Sequence, residues 1–127
     1  MYKIKADVSK NRIYIILKGA LTNEELKKAA DLFIQEVQNL KAPVDAINDI
    51  SEFSPGADTD LSDIKRAQLY LAEYGLRKAI RVVRDKMDGA IPFVSGGVEA
   101  GYHAGLAFSV EEAEKMLDEN MPQNNAD

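Results

Sequence analysis

Between Gly19 and Thr22 the apolar pattern of this chain changes period, and that change sets the class of fold it can adopt. Upstream, Tyr2, Ile4, Ala6 and Val8 alternate with Lys3, Lys5 and Asp7, the period-two pattern of a half-buried strand. Ser9, Lys10 and Asn11 form a turn, and a β-rich run from Ile13 to Leu17 ends at Gly19, so the first two strands are expected to pair as an antiparallel hairpin. Downstream, Thr22 and Glu25 make a T-x-x-E capping box, in which each side chain satisfies a backbone N–H left free at a helix start. Leu26, Ala29, Ala30, Phe33, Val37 and Leu40 then recur at helical spacing, which predicts a helix over about Asn23 to Leu40.

The alternation continues. Pro43 closes the first helix, and Val44 to Ile50 follows as a buried strand. A second helix is expected to begin between Thr59 and Asp63, with Ile64, Ala67, Leu71 and Tyr74 on its apolar face and Gly75 as a left-handed C-terminal cap. Ala79 to Val83 reads as the next strand and Asp85 to Ile91 as a loop, then Val94 to Ala104 as a short, glycine-interrupted helix. Leu106 to Phe108 is a brief strand, and Ser109 with Glu112 forms a second capping box for a closing helix carrying Val110, Ala113, Met116 and Leu117 inward. The order β-β-α-β-α-β-(α)-β-α calls for an α/β domain over 1–120, with a mixed sheet, right-handed crossovers and about four helices. Residues 121–127 read as a polar tail.

Composition narrows the function classes. The chain has 127 residues, 46% hydrophobic and 29% charged, enough to bury a core without staples. A net charge of -5 argues against nucleic acid, which needs a clustered basic face. The most basic stretch, Arg77 to Arg84, alternates charged with apolar residues as a strand with a solvated face does. Without cysteine there is neither a disulfide framework nor thiol chemistry. Neither a signal-peptide core nor the ~20 apolar residues of a membrane helix is present. The expectation is a cytoplasmic chain with no membrane insertion.

Function is expected where Val44-Asp45-Ala46-Ile47-Asn48-Asp49-Ile50 gives way to a polar Pro55-Gly56 loop and a helix start, because partners of open α/β sheets meet the chain where strands hand over to helices. Three stretches carry a resemblance to a known family: Lys18 to Leu26, Asp45 to Ile50, and Phe108 to Leu117. Together they resemble the STAS-like group, and more closely its SpoIIAA-like branch, over about Tyr2 to Glu119. The resemblance implies a regulatory interaction domain, with a phosphorylatable hydroxyl in the loop after the third strand. The family's Asp-Ser-Ser-Gly context is absent; Thr59 and Ser62 are the nearest hydroxyls, with Ser51 and Ser54 upstream. A helix N-terminus tolerates phosphate, although Asp58, Asp60 and Asp63 would surround it. The simpler use of Thr59 or Asp60 is to cap the helix.

Other constellations resolve into structure. Asp58-Thr59-Asp60-Leu61-Ser62-Asp63 lacks the glycine and the closing glutamate of a calcium loop. Ser62-Asp63-Ile64-Lys65 matches Ser-x-x-Lys without its companion motifs. Asp45 and Asp49 share a strand face, a pairing that suits a loop anchor better than acid–base work. His103 is the single histidine, and Gly97, Gly101 and Gly105 would make a bare ridge if helical. Leu69, Tyr70 and Tyr74 widen the apolar surface of the second helix beyond one buried stripe. The reading is therefore a non-enzymatic domain with no cofactor. It binds a protein partner or itself, by default as a homodimer, through the second helix and its loop, with Gly101 and His103 as further candidate contacts. The alternative is a carrier of a small apolar ligand held between the second helix, the third helix and the sheet.

Overall fold

The computed structural model describes residues 1–84 and 104–119. Along them run β1 (Tyr2–Asp7), β2 (Arg12–Gly19), α1 (Asn23–Val37), β3 (Val44–Phe53), α2 (Ser62–Gly75), β4 (Leu76–Val82), β5 (Ala104–Ala107) and α3 (Val110–Glu119). The strands make one mixed sheet in the order β1-β2-β3-β4-β5. β1 is antiparallel to β2, with Ile4 opposite Ile15. From β2 to β5 every pairing is parallel, with Ile15 beside Asn48 and Ile47 beside Ile80. The hairpin, the strand–helix alternation and the mixed sheet follow the sequence pattern.

Strand alternation sorts the side chains to two faces. On one, Ile13, Ile15 and Leu17 of β2 and Ala46 of β3 pack with Phe33 of α1 and Leu71 of α2. On the other, Ile47, Ile80, Val82 and Ala107 pack with Ala113 and Leu117 of α3. α1 and α2 therefore share a face and touch each other, while α3 crosses β3, β4 and β5 on the reverse side. Having cover on both faces explains why Val44 to Ile50 reads as a nearly unbroken buried run.

Several boundaries differ from the expectation. α1 ends at Val37, three residues before Leu40. Asn39 and Leu40 donate to the carbonyls of Glu36 and Val37, so a tight turn carries Leu40 into the core. β3 runs on to Phe53, because Glu52 and Phe53 still pair with Lys18 and Gly19. β4 starts at Leu76, directly after α2, and β5 starts at Ala104 instead of Leu106. The abrupt α2–β4 change is made at Gly75, whose φ is +128°; a Cβ there would stand 2.7 Å from that of Ala42. The described residues hold three helices. Of the helix expected over Val94 to Ala104, only Ala104 is described, and it lies in β5.

Candidate functional site

The loop between β3 and α2 is built by its own polar groups. Thr59 Oγ1 accepts the N–H of Gly56 at 2.7 Å, and Asp60 Oδ1 accepts that of Ser62 at 2.9 Å. Neither expected residue is the N-cap: that position is Leu61, without a side-chain cap, while Asp60 receives the N–H of Ser62 and Thr59 closes the loop turn. The hydrogen bond from the Ser62 backbone is the main cause that holds the Asp60 carboxyl below its ordinary value. Asn23, at the start of α1, tethers the loop from outside. Its Oδ1 accepts from Asp60 N–H at 2.8 Å and its Nδ2 donates to the Asp58 carbonyl at 3.4 Å. A second tie joins the helices: Arg66 Nη2 lies 2.9 Å from both Asp63 Oδ1 and Asp31 Oδ1.

Ser62, Lys65, Arg66, Leu69 and Glu73 are all exposed, and their spacing of three and four residues puts them along one face of α2. Leu69 keeps 45% of its surface. Tyr70 and Tyr74 turn away from this face toward the end of α1, half-buried, with ring centroids 5.9 Å apart. Gln38 Nε2 donates to the Tyr70 hydroxyl at 3.4 Å, and the Tyr74 hydroxyl donates to the carbonyl of Leu40. Gly101 and His103 lie outside the described residues.

Beneath α2 is an apolar cavity of about 60 Å³, walled by Leu17, Ala30, Phe33 and Ala67, with the amides of Asn48 and Gln68 at its edge. It lies between α1, α2 and the sheet. Gln68 is buried, and its Oε1 accepts no hydrogen bond among the described residues.

The reverse face holds a charged network that sequence reasoning missed. Arg12 is 1% exposed. Its guanidinium donates to Glu114 Oε1 and, at 2.7 Å, to Asp118 Oδ1. The Tyr14 hydroxyl donates to Glu114 Oε2 at 2.8 Å. Arg77 meets Asp45 through Nε and Nη2, each at 2.7 Å from one carboxylate oxygen, the bidentate geometry of a strong pair. Asp49 accepts from the backbone and hydroxyl of Ser51 at 3.1 and 2.6 Å. Asp45 thus ties β3 to the neighbouring strands, and Asp49 anchors its own strand locally. The available signal was Glu114 and Asp118, four apart on the closing helix beside its apolar stripe.

No protein-family model matches this chain, and no curated protein matches it. No helix among the described residues is long and apolar enough to cross a membrane.

Proposed function

We propose that this chain is a non-enzymatic, STAS-like interaction domain whose α2 pairs with a second copy of itself, or with a protein partner that presents the same order of charges. The observation that carries the reading is the arrangement around Leu69. Lys65 precedes it by four residues and Glu73 follows it by four, all on one exposed face. In an antiparallel helix pair centred on Leu69, each Lys65 meets the partner's Glu73, the self-complementary condition of a two-fold interface. Burying two Leu69 side chains supplies the apolar centre, and the two charge pairs set orientation more than affinity. Ser62 stands two helical turns away on the same exposed face, in the place where a phosphate would act on this contact; Thr59 is engaged within its loop. The test is the native mass of the untagged chain beside Leu69→Glu. The wild type is expected at twice its 14.0 kDa and the variant at the monomer mass. Identical assemblies in both would remove the reading.

A cavity between α1, α2 and the sheet supports a second reading, carriage of a small apolar ligand; the pocket expected against the helix of residues 94–104 lies outside the described residues. At about 60 Å³ the cavity matches roughly two water volumes, so a lipid-like molecule would need α1 and α2 to part. Co-purified mass in the same native spectrum distinguishes this reading from self-association.

A further inference from the structure

A second concavity lies on the reverse face, away from α1 and α2. It has a volume of about 290 Å³ and is bounded by β1, β2 and α3, near the lower end of small-molecule sites. Its origin is topological. Alternation sends Lys3 and Lys5 of β1 to this face, beside Ile16 and Tyr14 of β2, while α3 packs mainly on β3, β4 and β5 and meets the hairpin through Arg12 and Tyr14 of β2. Ile16 and Tyr14 form the apolar part of the lining; Lys3, Lys5 and Lys10 carry the positive charge.

Both acids of the lining are already engaged. Asp7 Oδ1 accepts from Ser9 Oγ at 2.7 Å and from Lys10 N–H at 3.2 Å. Glu114 receives Arg12 and Tyr14, with Lys10 Nζ at 3.6 Å. Lys3 and Lys5 make no ion pair with any described residue. On alternate positions of one strand their Cα atoms are roughly 7 Å apart, so two like charges share this part of the cleft, with Asp7 the next residue on the same strand face. This occurs in a chain of net charge -5.

We infer that this cleft binds a small organic phosphate: the phosphate bridges Lys3 and Lys5, and the organic body lies on Ile16 and Tyr14. A phosphomonoester, with a charge of about -1.5 to -2 near neutrality, matches two ammonium groups better than a single carboxylate does, and lysine binds phosphate as a point charge. The site is on the opposite side of the sheet from the α2 contact, so it stands or falls independently of that reading.

Isothermal titration with phenyl phosphate tests it, with inorganic phosphate, phenol and benzoate as comparisons. Phenyl phosphate is expected to bind one to one and more tightly than each of the other three. Lys3→Gln/Lys5→Gln should weaken it on the order of tenfold, the equivalent of about 1.4 kcal/mol. Lys27→Gln/Lys41→Gln, which removes the same charge from exposed sites elsewhere, should leave it unchanged. Absence of binding, equal binding of inorganic phosphate, tighter binding of benzoate, or an equal loss in the second double variant would each overturn the assignment.

Discussion

Arg12 and Asp118, separated by 106 residues, meet at 2.7 Å across the reverse face of the sheet, where a fully buried guanidinium reaches a carboxylate that is 59% exposed. The pair fastens α3 to β2, beyond the strands β3, β4 and β5 on which the helix chiefly packs. The asymmetry in burial sets unequal consequences. Arg12→Met takes the shared cation from Glu114, Asp118 and the buried Asp45 and should cost about 3 kcal/mol. Asp118→Asn, at the wet end, should cost much less than Arg12→Met. Urea unfolding of both variants checks the order; a larger loss in Asp118→Asn would contradict it.

The same contact gives an acid dependence. The Arg12 hydrogen bond is the leading cause that holds the Asp118 carboxyl below its ordinary 3.8. A carboxyl depressed by folding contributes fully above its unfolded value, and the contribution is lost as pH falls through the folded one. The difference in urea midpoint between wild type and Asp118→Asn should therefore be constant from about pH 7 to about pH 5 and shrink below about pH 4. A difference that survives unchanged in stronger acid would show that Asp118 acts by shape alone.

At the alkaline end the relevant group is Tyr14, pushed up to about 12, first by burial and then by its hydrogen bond to Glu114. Folding raises this value, so the stabilisation is complete below the ordinary 10.0 and is lost as pH rises through about 12. Phenolate absorbance should show a phase near that upper value which Tyr14→Phe removes. If the variant retains the phase, the assignment is wrong.

Gln68 offers a gain instead of a loss. Its Oε1 is buried beside an apolar cavity and accepts no hydrogen bond among the described residues. Gln68→Leu keeps the approximate volume and removes the desolvated amide, so stability should rise by about 1 kcal/mol, read as a higher urea midpoint. A fall would mean that the amide is satisfied in solution.

Gly75 is expected to tolerate nothing larger. With φ at +128° and Ala42 Cβ 2.7 Å from where its own would be, Gly75→Ala combines backbone strain with a clash and should cost about 2–3 kcal/mol. Thermal unfolding measures this, and an unchanged midpoint would mean that the α2–β4 junction relaxes freely.

The sequence carried the architecture because its signals are local. Thr22 and Glu25 cap α1 as their spacing demands, and the Tyr2–Val8 alternation gives the edge strand of a hairpin. Boundaries failed where tertiary packing decides. Leu40 continues the helical spacing but enters the core from a turn, and Leu76 and Lys78 belong to β4 because they sit opposite Val44 and Asp45 on a neighbouring strand, with Arg77 in the bulge between them. On α2, the apolar residues Leu69, Tyr70 and Tyr74 looked like one surface. Only Leu69 is exposed, since Gln38 and Leu40 at the end of α1, 32 and 34 residues away along the chain, meet the tyrosines. The Arg12 network was invisible for the same reason: nothing local marks a strand arginine as the partner of a helix 102 residues later.

The central claim is that α2 pairs antiparallel about Leu69, and charge reversal tests it most directly. Sedimentation equilibrium should find Lys65→Glu and Glu73→Lys each weakening the dimer, because each places like charges opposite one another twice. The double variant, which exchanges the two signs, should recover the wild-type association. A double variant weaker than either single one, or four chains of identical mass, would contradict the account.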